Sequence, residues 1–161
     1  MRYANKSNMT GKRIRLLWWL MALTAIPSIS PVLAESARYN ATTSYILKCA
    51  GCHAMDGTGS AAGGIPPLQL INVFTSDTKG RTYLMHVPGV VSSGLNSTEI
   101  AEVMNYIVEL WGDKTADYTP FTKEEVNQLR AVDIADVVSY RREIADQYKQ
   151  EGKTVADYPW P

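Results

Sequence analysis

Cys49-Ala50-Gly51-Cys52-His53 places the only two cysteines of the chain and one of its two histidines within five consecutive residues. Two thiols at this spacing reach one edge of a porphyrin and can add across its vinyl groups as thioethers. The histidine that follows places an imidazole beneath the iron as its proximal ligand. Ala50 and Gly51 between the thiols leave that edge uncrowded. The pattern points to one covalently attached haem c per chain, held by Cys49 and Cys52, with His53 on the iron. Three other chemistries fit less well. A redox dithiol needs a thioredoxin-like βαβ setting, and nothing here alternates strand and helix. A structural zinc ion needs about four ligands, which this chain reaches only by adding His86, at a spacing unlike a zinc finger. A disulfide between cysteines so close in sequence would stabilise little.

Haem attachment of this kind takes place outside the cytoplasm, and the first 34 residues are consistent with export. Arg2, Lys6, Lys12, Arg13 and Arg15 form a basic start, Leu16 to Ile26 an apolar run, and Val32-Leu33-Ala34 a small-residue cleavage site before Glu35. The run is short for a membrane span, which needs about 20 residues, and no cysteine follows it to carry a lipid. The expectation is a cleaved signal over 1–34, no stable membrane anchor afterwards, and a periplasmic or otherwise exported product.

Cleavage would change the charge. Five of the sixteen basic residues and none of the sixteen acidic ones lie in 1–34, so the overall balance of zero becomes net −5 over residues 35–161. An acidic surface without a basic stripe argues against nucleic acid as a partner. It suits either plain solubility or steering toward a basic patch on a redox partner. The 127 residues after the leader are enough for one core.

The elements that must position the motif read as helices. Ser36 to Lys48 is expected to run as a helix into Cys49. Asp56 to Gly64 is a glycine-rich loop without the ending of a phosphate loop, its glycines expected to let the backbone turn beside a flat cofactor. Gly80 to Val87 reads as a short helix closed by Pro88-Gly89, and Val90 to Leu95 as a loop. Asn96-Ser97-Thr98-Glu99 has the form of a capping box. It opens a helix to Trp111 with Ile100, Val103, Met104 and Ile107 on one face, ended by Gly112. After Pro120, Thr122 to Glu125 forms a second capping-box pattern, and Ile134 to Gln150 carries another helical stripe. An extended tail is expected from Lys153. The reading is all-α, with the haem-bearing part over 35–119 and a C-terminal helical extension over 120–161.

From Ser36 to Trp111 the order of these signals resembles the class I c-type cytochromes. The features that carry the likeness are Tyr45 ahead of the motif, Cys49 to His53, Asp56-Gly57-x-Gly59, Pro66-x-Leu68, Arg81-x-Tyr83-Leu84, and Glu99 to Ile107. The resemblance implies a helical fold around one haem and a Pro66 carbonyl that accepts the proximal imidazole N–H. It implies a pocket lined by Leu68, Tyr83, Leu84 and Val87. In that family the sixth iron ligand is usually a methionine in the loop between the middle and last helices. Here that loop, Val90 to Leu95, holds neither methionine nor histidine. The nearest candidates for the distal iron ligand are Met85 and His86, although a haem face made by Leu84 and Val87 would turn both away. Met104 reads as core packing and Met55 as lying on the wrong side of the haem ring, and the remaining readings are another ligand or no side chain at the position.

Three functions follow as expectations. The first is an electron carrier rather than an enzyme, cycling Fe(III)/Fe(II) between partners such as a dehydrogenase, another cytochrome or a reductase. The second is a haem protein with an open sixth position that binds or activates a small ligand, as a gas sensor or peroxidase-like protein. His86 and Arg81 would be the only distal groups for peroxide chemistry, with Arg81 more simply a surface charge at a helix start. The third is a dedicated subunit of a dehydrogenase complex, with the extension packing on its own domain or on that partner.

Overall fold

Asn40 is where the described chain turns helical. Its backbone is extended and its carboxamide accepts the Thr43 N–H, which opens helix α1, Ala41–Lys48. This computed structural model describes residues 38–157. The chain divides into two units, Met1–Ala34 and Glu35–Pro161, and every described residue belongs to the second. The expected leader and the final Tyr-Pro-Trp-Pro lie outside the described residues. Helix α1 thus starts five residues later than the sequence suggests, because Asn40 is a better cap than an interior helix residue.

A second short helix, α2, covers Ala50–His53. The glycine-rich loop follows, and then a 3-10 turn over Leu68–Leu70 and α3, Asn72–Thr75. Asp77 caps α4, Thr78–His86, by accepting the Gly80 N–H. Pro88 occupies the first turn of α5, Pro88–Val91, where its missing N–H costs nothing. This segment differs from the loop expected at Val90. The capping box at Asn96 is complete: Asn96 and Glu99 each accept the other's backbone N–H at 2.9 Å. It opens α6, Ser97–Trp111, which ends at Gly112. Helices α7, Lys123–Arg130, and α8, Val137–Gln150, form the extension. Helix is the regular structure of the described residues, joined only by an isolated bridge between Ser60 and Ile65. None of the described helices is long and apolar enough to cross a membrane.

The core lies where α6 crosses α1. Tyr45 of α1 is buried against Trp111 and Tyr106, with ring centroids 4.8 and 6.0 Å away. The other side of α6 packs on α7, and α4 packs on α3, α7 and α8. The extension therefore buries its apolar stripe on this same unit. Phe121, Val126 and Leu129 are buried there, as are Ile144 and Tyr148. Full burial of one such aliphatic or aromatic side chain contributes about 1.5–3 kcal/mol.

Two expectations for charged residues change. Glu125 does not close a capping box with Thr122. Thr122 accepts the Glu125 N–H, but the Glu125 carboxylate is drawn to Arg81, with both Nε and Nη2 donating at 2.6 Å. Nor is Arg81 a surface charge: it is buried, donates to the Thr119 carbonyl, and lies 3.7 Å above the centre of the Phe121 ring. A forked guanidinium satisfied on one side by a carboxylate and on the other by an aromatic face can be buried at tolerable cost. Residues 153–157 have no regular secondary structure, and Arg141 holds them by donating to the Ala156 carbonyl at 2.6 Å.

Candidate haem-attachment site

The three motif side chains project from a single helical turn. The N–H groups of Cys52 and His53 donate to the Cys49 carbonyl at 3.1 and 2.9 Å. Cys49 and Cys52 are three residues apart across this turn, a spacing that puts both on the same side of it. Both cysteines are free thiols, Cys52 exposed and Cys49 partly buried. Burial, reinforced by the nearby Cys52, pushes the Cys49 thiol up to about 11. It is therefore neutral at physiological pH, and a thioether at this place would also be neutral.

His53 is partly buried, and burial lowers its pKa. The neutral imidazole is the form that binds a metal. The Pro66 carbonyl lies close enough to oppose that shift, yet the contact falls outside hydrogen-bond geometry. The Nδ1 atom is thus buried without a formal partner among the described residues. An orphaned ring nitrogen beside a carbonyl, two free thiols and a short helix form a donor set that fits a covalent haem. A zinc site is not assembled: the described residues hold no group of three or more His, Cys, Asp and Glu side chains able to share a metal.

The loop behind the motif is held tightly. Ala54, the residue after His53, has φ 60° and ψ 174°, a region otherwise used almost solely by glycine, at a cost of about 1–3 kcal/mol. Two hydrogen bonds hold the chain there. The Tyr45 hydroxyl donates to the Ala54 carbonyl at 2.6 Å, and the Gly59 N–H donates to the His53 carbonyl at 3.1 Å. Gly59 has a positive φ, and a Cβ there would lie 2.4 Å from the Ile65 carbonyl oxygen and 2.7 Å from that of Pro66. At Gly57, also with positive φ, a Cβ would come within 2.8 Å of the Trp111 ring. The need for glycine thus comes from protein atoms: Gly59 lets the Pro66 carbonyl approach the motif, and Gly57 lets α6 close over the loop. Sequence alone suggests a cofactor as the reason.

The pocket residues expected from the family pattern are distributed unevenly. Leu68 and Leu84 are buried, while Pro66 and Val87 are partly so. Tyr83 is buried with its ring 5.0 Å from that of Phe74, on the side of α3. Met85 is fully buried and stands four residues from Arg81, hence on the helix face that Arg81 turns toward Glu125. His86 is partly buried at the end of α4. Its Nδ1 meets the Thr82 carbonyl at 2.8 Å and its Nε2 the Val132 carbonyl at 2.9 Å. Arg81 and His86, the only candidates for distal peroxide chemistry, are thus both bonded to the extension. Sequence reasoning misses the Arg81–Glu125 pair and the Val132 partner of His86, since neither spacing carries a signal.

The chain is 35% identical over 133 residues to a cytochrome c-552 of Thermus thermophilus, a match covering 70% of this chain and 85% of that protein. It is 38% identical over 105 residues to another Thermus thermophilus protein named cytochrome c-552, covering 52% of this chain and 79% of the relative. A match over 70% of the chain is longer than residues 35–119, so the likeness reaches into the flanking segments. No protein-family model matches the sequence.

Proposed function

This chain belongs to the class I c-type cytochromes, and from that premise we propose that it works in the periplasm as a single-haem carrier between redox partner proteins. Its cofactor is covalently attached haem c, and its role is electron transfer, not catalysis. When bound, the haem supplies one-electron Fe(III)/Fe(II) chemistry. The protein's own residues do the rest. Cys49 and Cys52 tether the group, His53 presents an imidazole to the iron, and Pro66 orients that ring from behind. Leu68, Leu84 and Val87 keep water away from one face, and a low dielectric there favours the reduced state.

The observation that carries this reading is the single turn Cys49–His53, with two free thiols and a buried imidazole nitrogen facing the Pro66 carbonyl. The surroundings support docking. Leu47 and Met55, two residues before and two after the motif, are 57% and 64% exposed. Apolar side chains beside a redox centre allow brief close contact with a partner, while the acidic remainder of the surface steers the approach.

Cell fractionation and protein-film voltammetry test the proposal together. The expected result is a haem-stained protein in the periplasmic fraction, without its first 34 residues, that gives one reversible one-electron wave. A cytoplasmic protein, or one with no reversible wave, would overturn it.

A further inference from the structure

We propose that no side chain of residues 38–157 holds the sixth position of the iron, and that the reduced protein binds small neutral diatomic ligands there, of the class of carbon monoxide and nitric oxide. This rests on the reading of the chain as a haem carrier with His53 as the proximal ligand. Beyond the motif, the described residues offer four sulfur or imidazole side chains, Met55, Met85, His86 and Met104; three are buried or hydrogen-bonded elsewhere, and Met55 is exposed two residues after His53.

Met55 follows the proximal ligand by two residues, and the Tyr45–Ala54 bond keeps that segment beside α1. Met85 shares the face of α4 on which Arg81 is bonded to Glu125 and Thr119. Met104 is buried two helical turns after Ser97, whose hydroxyl bonds to Asn127 of α7. By helical spacing, each buried methionine shares a face with a residue bonded to α7. Both nitrogens of His86 already meet carbonyls.

The link between α4 and α6 supplies no replacement. Residues 87–96 contain no sulfur and no imidazole. Their two serine hydroxyls turn back to their own backbone, Ser92 donating to the Pro88 carbonyl at 2.6 Å and Ser93 to the Val90 carbonyl at 2.8 Å. What this link and the end of α4 present is largely apolar, namely Leu84, Val87 and Val90. Such a lining offers no hydrogen bond or charge to an anionic ligand, and it favours a neutral diatomic.

The test is a carbon monoxide titration of the reduced, haem-loaded full chain, followed by optical absorption, with Met85→Leu and His86→Gln in parallel. The ferrous protein should be high-spin before the gas is added. It should then shift its main absorption band on binding, with an affinity that neither substitution changes by more than about twofold. A low-spin ferrous protein indifferent to carbon monoxide would overturn the inference while leaving the electron-carrier reading intact. So would a Met85→Leu or His86→Gln variant that binds the gas when the wild type does not. A chain that carried no haem would overturn both.

Discussion

Residues 54–68 are held from within, whereas α4 is held from outside. In the first region the constraints are short-range: the Tyr45 hydroxyl on Ala54, the Gly59 N–H on His53, the Ser60–Ile65 bridge, and the Leu68 N–H on the Gly57 carbonyl at 2.8 Å. In α4 the polar side chains reach far along the sequence, Arg81 to Glu125 and His86 to Val132. The segment that follows His53 is thus held mainly by groups close to it in sequence. Helix α4 instead spends its long polar side chains on the extension. The difference lets the Cys49–His53 motif stay intact while Met85 is buried in the core and His86 meets two carbonyls.

The largest expected effect comes from the loop. Gly59→Ala combines a positive φ with overlap on two carbonyl oxygens and should cost about 3 kcal/mol in urea unfolding. It should also displace Pro66, so the reduction potential should change as well. An unchanged potential would mean that the Pro66 carbonyl does not act on the proximal ring.

Next comes the bond that ties α4 to the extension. Glu125→Ala leaves Arg81 buried without its carboxylate. Because Glu125 itself is partly exposed, the expected loss is about 2 kcal/mol, below the value for a fully buried pair. Gln at the same position should restore part of it. Thermal melts of the three proteins check this, and full stability of Glu125→Ala would mean that the extension is not held through this bond.

Tyr45→Phe removes one hydrogen bond and should cost about 1 kcal/mol. Ala54 is then less firmly held in its strained conformation, so hydrogen exchange at residues 54–59 should accelerate while exchange in α8 stays unchanged. His86→Ala should cost under about 1 kcal/mol and leave the absorption spectra as they were.

Acid provides the gentlest perturbation. Burial by itself would raise the Glu99 carboxyl, but the N–H groups of Asn96 and Arg38 and the Arg38 guanidinium outweigh it and hold the group below its ordinary value. A carboxyl lowered in the folded state contributes stability in full above its unfolded value, about 4.3. That contribution fades as pH falls through the lowered folded value. Urea midpoints should therefore hold steady from neutral pH to about pH 5 and decline below about pH 4, with a shallower decline for Glu99→Gln.

The motif, the all-α class and the cap of α6 are legible in the sequence because each depends on residues within a few positions of one another. Asn96 and Glu99 are three apart, and Cys49 to His53 form a single turn. The partners of α4 are not legible. Arg81 and Glu125 are 44 residues apart, and Glu125 sits in a pattern that also suits a capping box, so the local explanation conceals the distant one. Helix α5 reads as loop because Pro88 marks a helix start as readily as a stop. The glycines at 57 and 59 are recognisable as necessary, but the atoms that require them, the Trp111 ring and two carbonyls, come together only in the fold.

Whether the Cys49–His53 turn carries a covalent haem is decided by the intact mass of the fully denatured chain, after maturation in a host able to attach c-type haem. The mass should equal that of the chain plus one haem, and the increment should vanish when Cys49→Ser and Cys52→Ser are combined. A wild-type chain from which acid and organic solvent extract the haem, or one that carries none, would contradict the covalent reading.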